Sequence, residues 1–427
     1  MDEYGPLFGV LMNMAYLKCS LCGAEYSTDE VKYVCPKHGD SGLLDVVYDY
    51  EKIKSHVSPV RISKSGEFSI WRYWDLLPIE NHDSIPPLRV GWTPLYSASR
   101  LGKQLAIKDL FLKDDGVNPT GSFKDRASAL VVAKAKELGV GVITTASSGN
   151  AGAALAGLSA SAQVPAVVFV PSTAPEAKVA QLLIYGARVF LVKGTYDQAF
   201  DLCLSASKEF GWYSRNTGYN PYTTEGKKTA SLEICEQLAM KKLDFSEEWI
   251  APDRIFVSVG DGNIITGIWK GLRDLLSLGW IDKLPKLMGV QAEGSAACYN
   301  AWKAGTETIT PIDPHTIADS INVGLPRDGT RAIRAVRETG GAFVTVRDDD
   351  ILDAMRNLAR KEAIFAEPAG ATGYAGLVEA VNRGMIDEDE EVVVVITGNG
   401  LKDVPSAVRA AGKAPLIEPK LEAVPRI

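Results

Sequence analysis

The sequence predicts an α/β protein in which helices cover both faces of mostly parallel sheets. From about residue 105 onward, short continuous apolar runs alternate with helical stretches. Continuous apolar runs are typical of strands covered on both faces, and their alternation with helices is typical of parallel sheets. Small residues cluster where predicted strands end and helices begin, which is where such sheets bind ligands. These turns are therefore the first candidates for a functional site.

The predicted elements follow one another in a regular order. The predicted strands cover residues 142–146, 166–170, 189–192, 254–259, 287–292, 342–346 and 392–397. The predicted helices cover residues 123–138, 151–161, 176–185, 198–210, 228–240, 264–276, 351–359 and 373–381. Because most of these strands are followed by a helix, neighbouring strands are expected to run parallel.

The chain has 427 residues, which is long for a single hydrophobic core. We therefore expect two parallel-sheet α/β domains preceded by a small cysteine-containing segment. The predicted bounds are 1–50 for that N-terminal segment, 51–95 for a connector packed on the body, 125–225 for a small mobile domain, 85–124 plus 226–415 for a large domain, and 416–427 for a tail. A ligand held between the two domains would be shielded from water when they close.

Composition narrows the classes of partner. The formal net charge is −7, whereas surfaces for nucleic acid or acidic membranes are basic. No stretch reaches the roughly 18 to 20 apolar residues that span a bilayer. Residues 7–17 are apolar but follow Asp2 and Glu3, so they lack the basic start of a secretory signal and are interpreted as a buried arm or strand. Since the six cysteines form no disulfide framework, we expect a cytoplasmic protein with a small-molecule partner.

The segment 118–126 (NPTGSFKDR) has a lysine at the start of a predicted helix. Pro119 and Gly121 predict a turn, and Ser122 is in position to cap the helix. Lys124 would then lie in the first turn, where the helix dipole disfavours a cation. A solvated lysine needs no such tight turn, whereas a lysine that forms a Schiff base must be partly buried with a lowered pKa. Lys124 is the candidate catalytic residue, with a solvated lysine as the alternative.

Two more segments follow predicted strands and open predicted helices, namely 145–152 (TASSGNAG) and 259–267 (VGDGNIITG). Backbone N–H groups at such a turn can bind an anion, although many such turns are only structural. The second segment lacks the spacing of a dinucleotide-binding loop and of a P-loop, which leaves a phosphate monoester as the candidate ligand. Asp261 lies in this loop, and its carboxylate is expected to point away from a phosphate.

A fourth segment, 397–403 (TGNGLKD), follows the last predicted strand. The hydroxyl of Thr397 at the strand end can hydrogen-bond a ring nitrogen, with a simple polar turn as the alternative. One lysine, two anion-binding turns and a terminal hydroxyl together describe a site for a phosphorylated aromatic aldehyde held at both ends. Pyridoxal 5′-phosphate (PLP) is such a molecule.

These segments resemble threonine synthase and its relatives, the tryptophan-synthase-β-like PLP enzymes of fold type II. The resemblance covers roughly residues 90–410. The segments that carry it are 118–126, 147–150, 225–229, 316–320, 367–371 and 397–403. The last of these is the most specific for threonine synthase. The resemblance implies a homodimeric PLP-dependent lyase that converts O-phospho-L-homoserine and water to L-threonine and phosphate.

The resemblance also implies residue roles. Lys124 would form the Schiff base and then transfer protons, and no metal would be needed for the chemistry. The implied cofactor-binding residues are Phe123, Lys124, Asn150, Gly260, Asp261, Gly262, Asn263, Ile264 and Thr397. The implied substrate-binding residues are Ser147, Ser148, Thr223 and Lys228, with the two serines on the substrate carboxylate.

The sequence departs from the family pattern at three places. Thr223 stands where many threonine synthases have an arginine that binds the substrate phosphate, the loop 260–263 is shorter and acidic, and Ala151 replaces a common threonine. Because an unpaired phosphate dianion in a closed site is costly, another cation must compensate or the substrate differs. The candidate cations are Lys227, Lys228, Arg215 and Arg327.

The N-terminal segment contains a second candidate site. Cys19 and Cys22 are separated by twelve residues from Cys35 and His38, which matches the spacing of a small zinc ribbon. Four protein ligands would leave no open position on the ion, so the zinc would be structural. The alternative is a cluster whose residues merely pack.

Two other functions remain open at this point. One is a related PLP lyase or β-replacement enzyme that acts on serine, threonine or a phosphorylated analogue, as a threonine dehydratase or a phosphoserine-dependent enzyme does. Analysis of the products distinguishes it from a synthase. The other, more remote, is a non-catalytic zinc-dependent scaffold, against which the intact Lys124 segment argues.

Overall fold

The computed structural model describes residues 13–174, 176–242 and 248–425. The strands are β1 (Met14–Cys19), β2 (Glu25–Tyr26), β3 (Leu44–Tyr48), β4 (Leu95–Ser97), β5 (Asp109–Asp114), β6 (Ile143–Ala146), β7 (Ala166–Pro171), β8 (Arg188–Val192), β9 (Tyr213–Ser214), β10 (Arg254–Ser258), β11 (Lys286–Ala292), β12 (Ala342–Val346) and β13 (Glu391–Ile396). The helices are α1 (Tyr50–Lys54), α2 (Pro59–Ser63), α3 (Ser99–Leu105), α4 (Lys124–Glu137), α5 (Asn150–Ala162), α6 (Glu176–Ile184), α7 (Tyr196–Phe210), α8 (Tyr222–Lys242), α9 (Asn263–Leu278), α10 (Ala297–Lys303), α11 (Gly329–Glu338), α12 (Asp348–Glu362), α13 (Pro368–Asn382) and α14 (Val404–Ala411).

Two parallel sheets form the body, which confirms the predicted fold class. One sheet has four parallel strands in the order β8-β7-β6-β9. The other has six strands in the order β12-β11-β10-β13-β5-β4, all parallel except that β4 runs antiparallel to β5. Strands β6, β10 and β13 are buried along their whole length, as expected of strands covered on both faces. The domain bounds given above remain a prediction.

Every predicted strand and helix is present, and the predicted ends differ from the observed ones by at most six residues, the largest difference being at the start of α8. The sequence did not predict β5, which lies between β13 and β4 in the larger sheet. Its buried residues include Lys113 and Asp114, so its pattern is not that of a continuous apolar run. The amine of Lys113 is buried because it donates to the carboxylate of Glu233 at 2.6 Å. Tertiary pairing of charges thus overrides the pattern on which the prediction depended.

Helix α8 is nearly all buried and packs closely against α4 and α9. Glycines permit this close packing: a Cβ at Gly226 would collide with the carbonyl oxygen of Arg126, and one at Gly267 would lie 2.6 Å from the Cβ of Lys227. The start of α4 carries Lys124, so the close packing brings the first turns of α4, α8 and α9 towards one region of the molecule.

The N-terminal segment is a three-stranded antiparallel sheet in the order β2-β1-β3 that packs on the body. The hydroxyl of Tyr48 on β3 donates to Glu225 of α8 at 2.6 Å, and the hydroxyl of Tyr33 accepts from the backbone N–H of Ser214 at 2.9 Å. A buried arm or strand was predicted over residues 7–17. Residues 7–12 lie outside the described part of the chain, and β1 begins within the rest of that segment, at Met14. Among the described residues, no helix combines the length and apolar character needed to cross a bilayer.

Candidate active site

A cleft of about 700 Å³ is lined by residues that follow strands of both parallel sheets. The turns after β6, β7 and β9 contribute from the four-stranded sheet, and those after β10 and β13 contribute from the six-stranded sheet. The carboxyl ends of parallel strands are where α/β proteins bind their ligands. The structure therefore brings together the turns that the sequence analysis selected.

Lys124 is the first residue of α4. It is half-buried and lines this cleft. Burial lowers the pKa of its amine to about 8; nearby Arg215 acts in the same direction and the carboxylate of Glu367 opposes it. Within the described chain, the Lys124 amine has no hydrogen bond and no ion pair. An amine of this kind is a nucleophile and a proton carrier near neutral pH.

The turn before Lys124 is bonded to the turn after β13. The backbone N–H of Phe123 donates to the carbonyl of Thr397 at 3.0 Å, and that of Asn399 donates to the carbonyl of Gly121 at 3.0 Å. Gly121 has φ of +81°, a conformation that L side chains rarely adopt. These bonds fix the position of Lys124 relative to the hydroxyl of Thr397 at the end of β13.

The predicted helix cap is wrong. Phe123 occupies the cap position of α4, and the hydroxyl of Ser122 lies a long 3.4 Å from the N–H of Lys124. The turn is closed instead by the carboxylate of Asp125, which accepts from the backbone N–H of Thr120 at 2.7 Å. A buried acid one residue beyond the lysine thus stabilises the turn that Ser122 was expected to hold.

The loop between β10 and α9 has no room for side chains at its glycines. A Cβ at Gly260 would lie 2.9 Å from the Cα of Ile321, and one at Gly262 would lie 2.7 Å from the carbonyl oxygen of Asp328. Gly262 has φ of +92° and directly precedes Asn263, the first residue of α9. A helix start with this bare backbone suits a phosphate group.

Asp261 lies in the same loop and lines the cleft. Its carboxylate faces the backbone N–H of Arg327 at 3.4 Å, on the neighbouring loop. Burial raises the pKa of this carboxyl, while the nearby amines of Lys227 and Lys124 lower it. Burial thus disfavours the charged form of this carboxylate, and the neighbouring amines favour it.

The turn after β6 opens α5 and carries Ser147, Ser148 and Asn150 into the cleft. The amide nitrogen of Asn150 donates to the carboxylate of Glu367 at 2.6 Å and to the hydroxyl of Ser320 at 3.3 Å. The first backbone N–H groups of a helix have no intrahelical partner, and the residues at the start of α5 line the cleft, which suits a carboxylate ligand.

Glu367 belongs to a segment that the sequence analysis quoted, but no role was predicted for it. It is buried, and burial raises the pKa of its carboxyl. The only local signal is an acid directly before Pro368, the first residue of α13. Nothing in that pattern indicates that the side chain turns back towards Asn150 and the cleft.

Two buried cations that line the cleft have no carboxylate partner among the described residues. The amine of Lys227 donates to the side-chain oxygen of Asn263. Burial, together with the neighbouring charges of Lys124 and Arg215, holds the pKa of Lys227 well below its usual range. Arg215 follows β9, and burial lowers its pKa to about 10. Basic groups without a carboxylate partner are stabilised in their charged form when an anion binds beside them, which suits a phosphorylated ligand.

Comparison with known proteins identifies the family. Residues 87–398 match the model of the family described as "Pyridoxal-phosphate dependent enzyme". The threonine synthase of Methanocaldococcus jannaschii is 41% identical over 412 residues, which is 96% of this chain and 98% of that protein. The threonine synthase of Methanosarcina acetivorans is 42% identical over 413 residues, again 96% of this chain and 98% of the relative. The chain belongs to the threonine synthase family of PLP-dependent enzymes.

Solved structures agree with the fold of that family. Diaminopropionate ammonia lyase from Escherichia coli, solved with a PLP reaction intermediate, superposes with a TM-score of 0.65 at 19% identity, over 78% of this chain and 89% of that one. The processed threonine deaminase isoform 2 of Solanum lycopersicum superposes with a TM-score of 0.62 at 22% identity, over 75% of this chain and 83% of that one. These likenesses concern the fold alone.

As expected of the threonine synthase family, the residues of the cleft fit PLP. A half-buried amine without a partner can hold the aldehyde, a bare helix start can hold the phosphate, and a hydroxyl lies at a strand end. That hydroxyl, of Thr397, makes a single long contact with the described residues, 3.5 Å to the carbonyl of Ala369, and is available to a ligand. The prediction of a PLP-dependent enzyme is confirmed by the family match, and the scaffold alternative is excluded.

Three of the residues assigned from the threonine synthase family lie outside the lining of the cleft. Lys228 is buried away from the cleft, where its amine is paired with Glu225 at 2.6 Å and Asp274 at 2.8 Å. Thr223 is also buried outside the cleft lining. Neither residue lines the cleft, so the geometry gives no support to these two predicted substrate contacts, which stay predictions. The ring of Phe123 is buried and does not line the cleft, so its assignment as a cofactor-binding residue also stays a prediction.

The cysteine–histidine cluster lies in the N-terminal segment and contributes nothing to the lining of the cleft. The ligand atoms of Cys19, Cys22, Cys35 and His38 all lie within 4.8 Å of one another. The sulfur of Cys35 is 3.6 Å from Nδ1 of His38, and a Cβ on Gly42 would lie 2.7 Å from the Cβ of Cys35. Three thiols and one imidazole gathered this closely are a donor set that suits zinc.

Proposed function

We propose that the protein is a threonine synthase that converts O-phospho-L-homoserine and water to L-threonine and phosphate. The observation that carries the proposal is the amine of Lys124, which has no partner among the described residues and shares its cleft with two further basic side chains that have no carboxylate partner there. The near-full-length likeness to proteins named threonine synthase supports this reaction over that of a dehydratase.

Lys124 is proposed to hold PLP and to move protons. PLP, when bound, supplies an electron sink that stabilises negative charge on the carbon atoms next to the amino group. With a pKa of about 8, the amine of Lys124 can both accept and donate a proton at neutral pH. Because four histidines are present and none lines the cleft, Lys124 is the proposed base.

The remaining contacts orient the ligands. The start of α9, from Gly260 to Ile264, is proposed to hold the cofactor phosphate, and Thr397 to meet the ring nitrogen without protonating it. Asn150 is proposed to bond the phenolic oxygen of the cofactor, held in place by its bond to Glu367. Ser147 and Ser148, at the start of α5, are proposed to bind the substrate carboxylate.

Closure of the cleft is proposed to exclude water until the substrate is in place. Two ion pairs join helices that flank the four-stranded sheet to loops on the opposite side of the cleft. Lys178 of α6 pairs with Asp319, and Asp197 of α7 pairs with Arg327 at 3.0 Å. Such pairs are weak when exposed, so they can break and reform as the small domain moves.

Zinc bound by Cys19, Cys22, Cys35 and His38 is proposed to be structural. Its support is the gathering of four donors within 4.8 Å. Metal analysis of the purified protein is expected to find one zinc per chain. Chelation is expected to lower the melting temperature while the cofactor absorbance remains, since the cluster does not line the cleft. A full melting temperature after chelation would contradict a structural role.

A cytoplasmic homodimer is proposed for the assembled enzyme. The family resemblance supports the dimer, and six unpaired cysteines support a reducing compartment. Light scattering of the purified protein is expected to give twice the mass of the 46.0 kDa chain.

The reaction is tested by its products. Incubation with O-phospho-L-homoserine is expected to yield threonine and inorganic phosphate in equal amounts. Formation of 2-oxobutyrate from added threonine, with no synthesis from the phosphate ester, would instead support the dehydratase alternative.

A further inference from the structure

The two arginines that line the described cleft differ in their partners. The guanidinium of Arg327 pairs with Asp197 at 3.0 Å and lies 5.0 Å from the ring of Phe200. Arg215 is fully buried and has no carboxylate partner among the described residues. An unpaired cation is costly to bury, so the environment of Arg215 is incomplete without an anion.

The partners of Arg215 are neutral and do not use its whole donor set. Its Nε donates to the hydroxyl of Ser128 at 3.1 Å, and Nη1 donates to the hydroxyl of Thr217 at 2.8 Å. Nη2 is buried and has no hydrogen-bond partner. The two hydroxyls fix the plane of the guanidinium and leave one nitrogen available to a ligand, which is the geometry that phosphate recognition uses.

Arg215 lies close to the proposed carboxylate site. Its neighbour Asn216 accepts from the backbone N–H of Ala146 at 2.9 Å and from the hydroxyl of Thr145 at 2.9 Å. These bonds join the end of β9 to the turn that carries Ser147 and Ser148. A ligand whose carboxylate is bound at that turn can therefore direct its other end towards Arg215.

Lys227 suits the other phosphate better. Its amine donates to the side chain of Asn263, the first residue of α9, where the cofactor phosphate is proposed to bind. A site that holds PLP and a phosphorylated substrate contains two phosphates. Besides Lys124, the described lining of the cleft offers two basic side chains without carboxylate partners, Lys227 and Arg215. The cation at the helix start is assigned to the cofactor, which leaves Arg215 for the substrate.

We propose that Arg215 binds the substrate phosphate and thereby selects phosphorylated amino acids, a function that the buried Thr223 cannot supply. This assignment rests on the proposed function, since it presupposes a phosphorylated substrate. Arg215 is a specificity-determining residue: it contacts the leaving group, whereas Lys124 acts at the reacting carbons.

The test compares two ligands of the holoenzyme. One is the phosphonate in which CH₂ replaces the ester oxygen of O-phospho-L-homoserine, and the other is L-norvaline, which has the same carbon chain without the phosphonate. Both are titrated against the cofactor absorbance of the wild type, Arg215→Gln, Arg215→Lys and the control Arg327→Gln. The control removes a cleft arginine that already has a carboxylate partner.

The Arg215→Gln substitution is expected to weaken phosphonate binding roughly 30- to 100-fold, the range for a lost hydrogen bond between charged groups. The affinity of Arg215→Gln for norvaline should change less than about threefold. The affinity of Arg327→Gln for the phosphonate should fall less than about fivefold. Unchanged phosphonate binding in Arg215→Gln, or an equal loss for both ligands, would overturn the assignment.

The test still gives a result if one of the variants fails to fold. If Arg215→Gln lost the cofactor absorbance, Arg215→Lys would decide. Lysine keeps the charge but not the planar donor pair, so roughly tenfold weaker phosphonate binding supports the assignment and wild-type binding overturns it. If the wild-type enzyme produced no threonine from O-phospho-L-homoserine, the proposed function itself would fail. If the enzyme made threonine but bound the phosphonate equally well after replacement of Arg215, only this assignment would fail.

Discussion

Two groups of buried charges lie on neighbouring parts of the molecule and differ in whether their members have partners. Behind the cleft, Arg126 of α4 bonds Glu233 at 2.5 Å and Asp115 at 2.6 Å, and Lys113 bonds Glu233 at 2.6 Å. All four side chains are fully buried. Inside the cleft, Lys124 starts the same helix as Arg126 and has no such partner. The buried cations that have carboxylate partners have a structural role. A buried cation without such a partner indicates a site that binds a ligand.

The same contrast appears between two adjacent residues of α8. Lys228 is paired with Glu225 and Asp274, while the one hydrogen-bond partner of Lys227 within the described part of the chain is the neutral amide of Asn263. Both lysines are buried. Burial alone therefore does not distinguish a structural cation from one that binds a ligand. The two are distinguished by whether the cation has a carboxylate partner.

The largest expected effect is that of replacing Lys124 by alanine. Without the amine that holds PLP and moves protons, the rate of threonine formation should fall by roughly 10³-fold or more, since acid–base catalysis alone contributes about 10² to 10⁴. Turnover of O-phospho-L-homoserine measures it, with circular dichroism as the check on folding. A folded variant that retained a tenth of the wild-type rate would remove Lys124 from the mechanism.

A substitution in the paired group should act on stability. Replacing Glu233 by glutamine leaves Arg126 and Lys113 partly uncompensated in the core and should lower the free energy of unfolding by about 3 to 5 kcal/mol. Denaturant unfolding of the apoprotein measures this change. A loss below about 1 kcal/mol would mean that the pairing contributes little to the fold.

The adjacent lysines of α8 give a matched pair of variants. Lys228→Met should destabilise the apoprotein by about 3 kcal/mol, because it leaves Asp274 and Glu225 with one cation fewer. Lys227→Met should cost less than about 1 kcal/mol but weaken PLP binding roughly tenfold or more. Unfolding and cofactor titration are measured on both variants, and equal effects of the two substitutions would break the comparison.

A smaller effect concerns pH. Burial places the pKa of Lys124 at about 8, against 10.5 for an ordinary lysine, and only the neutral amine captures an aldehyde. The rate of PLP uptake by the apoprotein should therefore rise with pH up to about 8 and then level off. Because the unfolded chain binds more protons than the folded one between the two pKa values, Lys124 also makes the folded apoprotein relatively more stable as pH rises through that interval. A rate that kept rising to pH 10.5 would indicate a solvated lysine.

The sequence predicted those features that are encoded locally. Continuous apolar runs indicated β6, β7, β10 and β13, and the turn around Gly121 indicated the position of Lys124. The strand β5 was missed because Lys113 is buried by a partner more than a hundred residues away, at Glu233. Such pairing depends on the folded arrangement and has no local signature.

The sequence also did not indicate that Lys228 would be paired outside the cleft lining, for a related reason. Helix α8 is buried almost all round, so its sequence has no polar face to indicate orientation. Adjacent helical residues point about 100° apart, and only the packed structure determines that Lys227 faces the cleft while Lys228 faces Asp274. The contact between Glu367 and Asn150 was missed for the same reason, because it joins two helix starts that only the fold brings together.

One measurement tests the central claim most directly. Borohydride reduction of the holoenzyme fixes the cofactor covalently to the amine that carries it, and digestion followed by mass spectrometry identifies the modified lysine. The account predicts the peptide that contains Lys124. Modification at Lys227 or at any other lysine, with Lys124 unmodified, would contradict it.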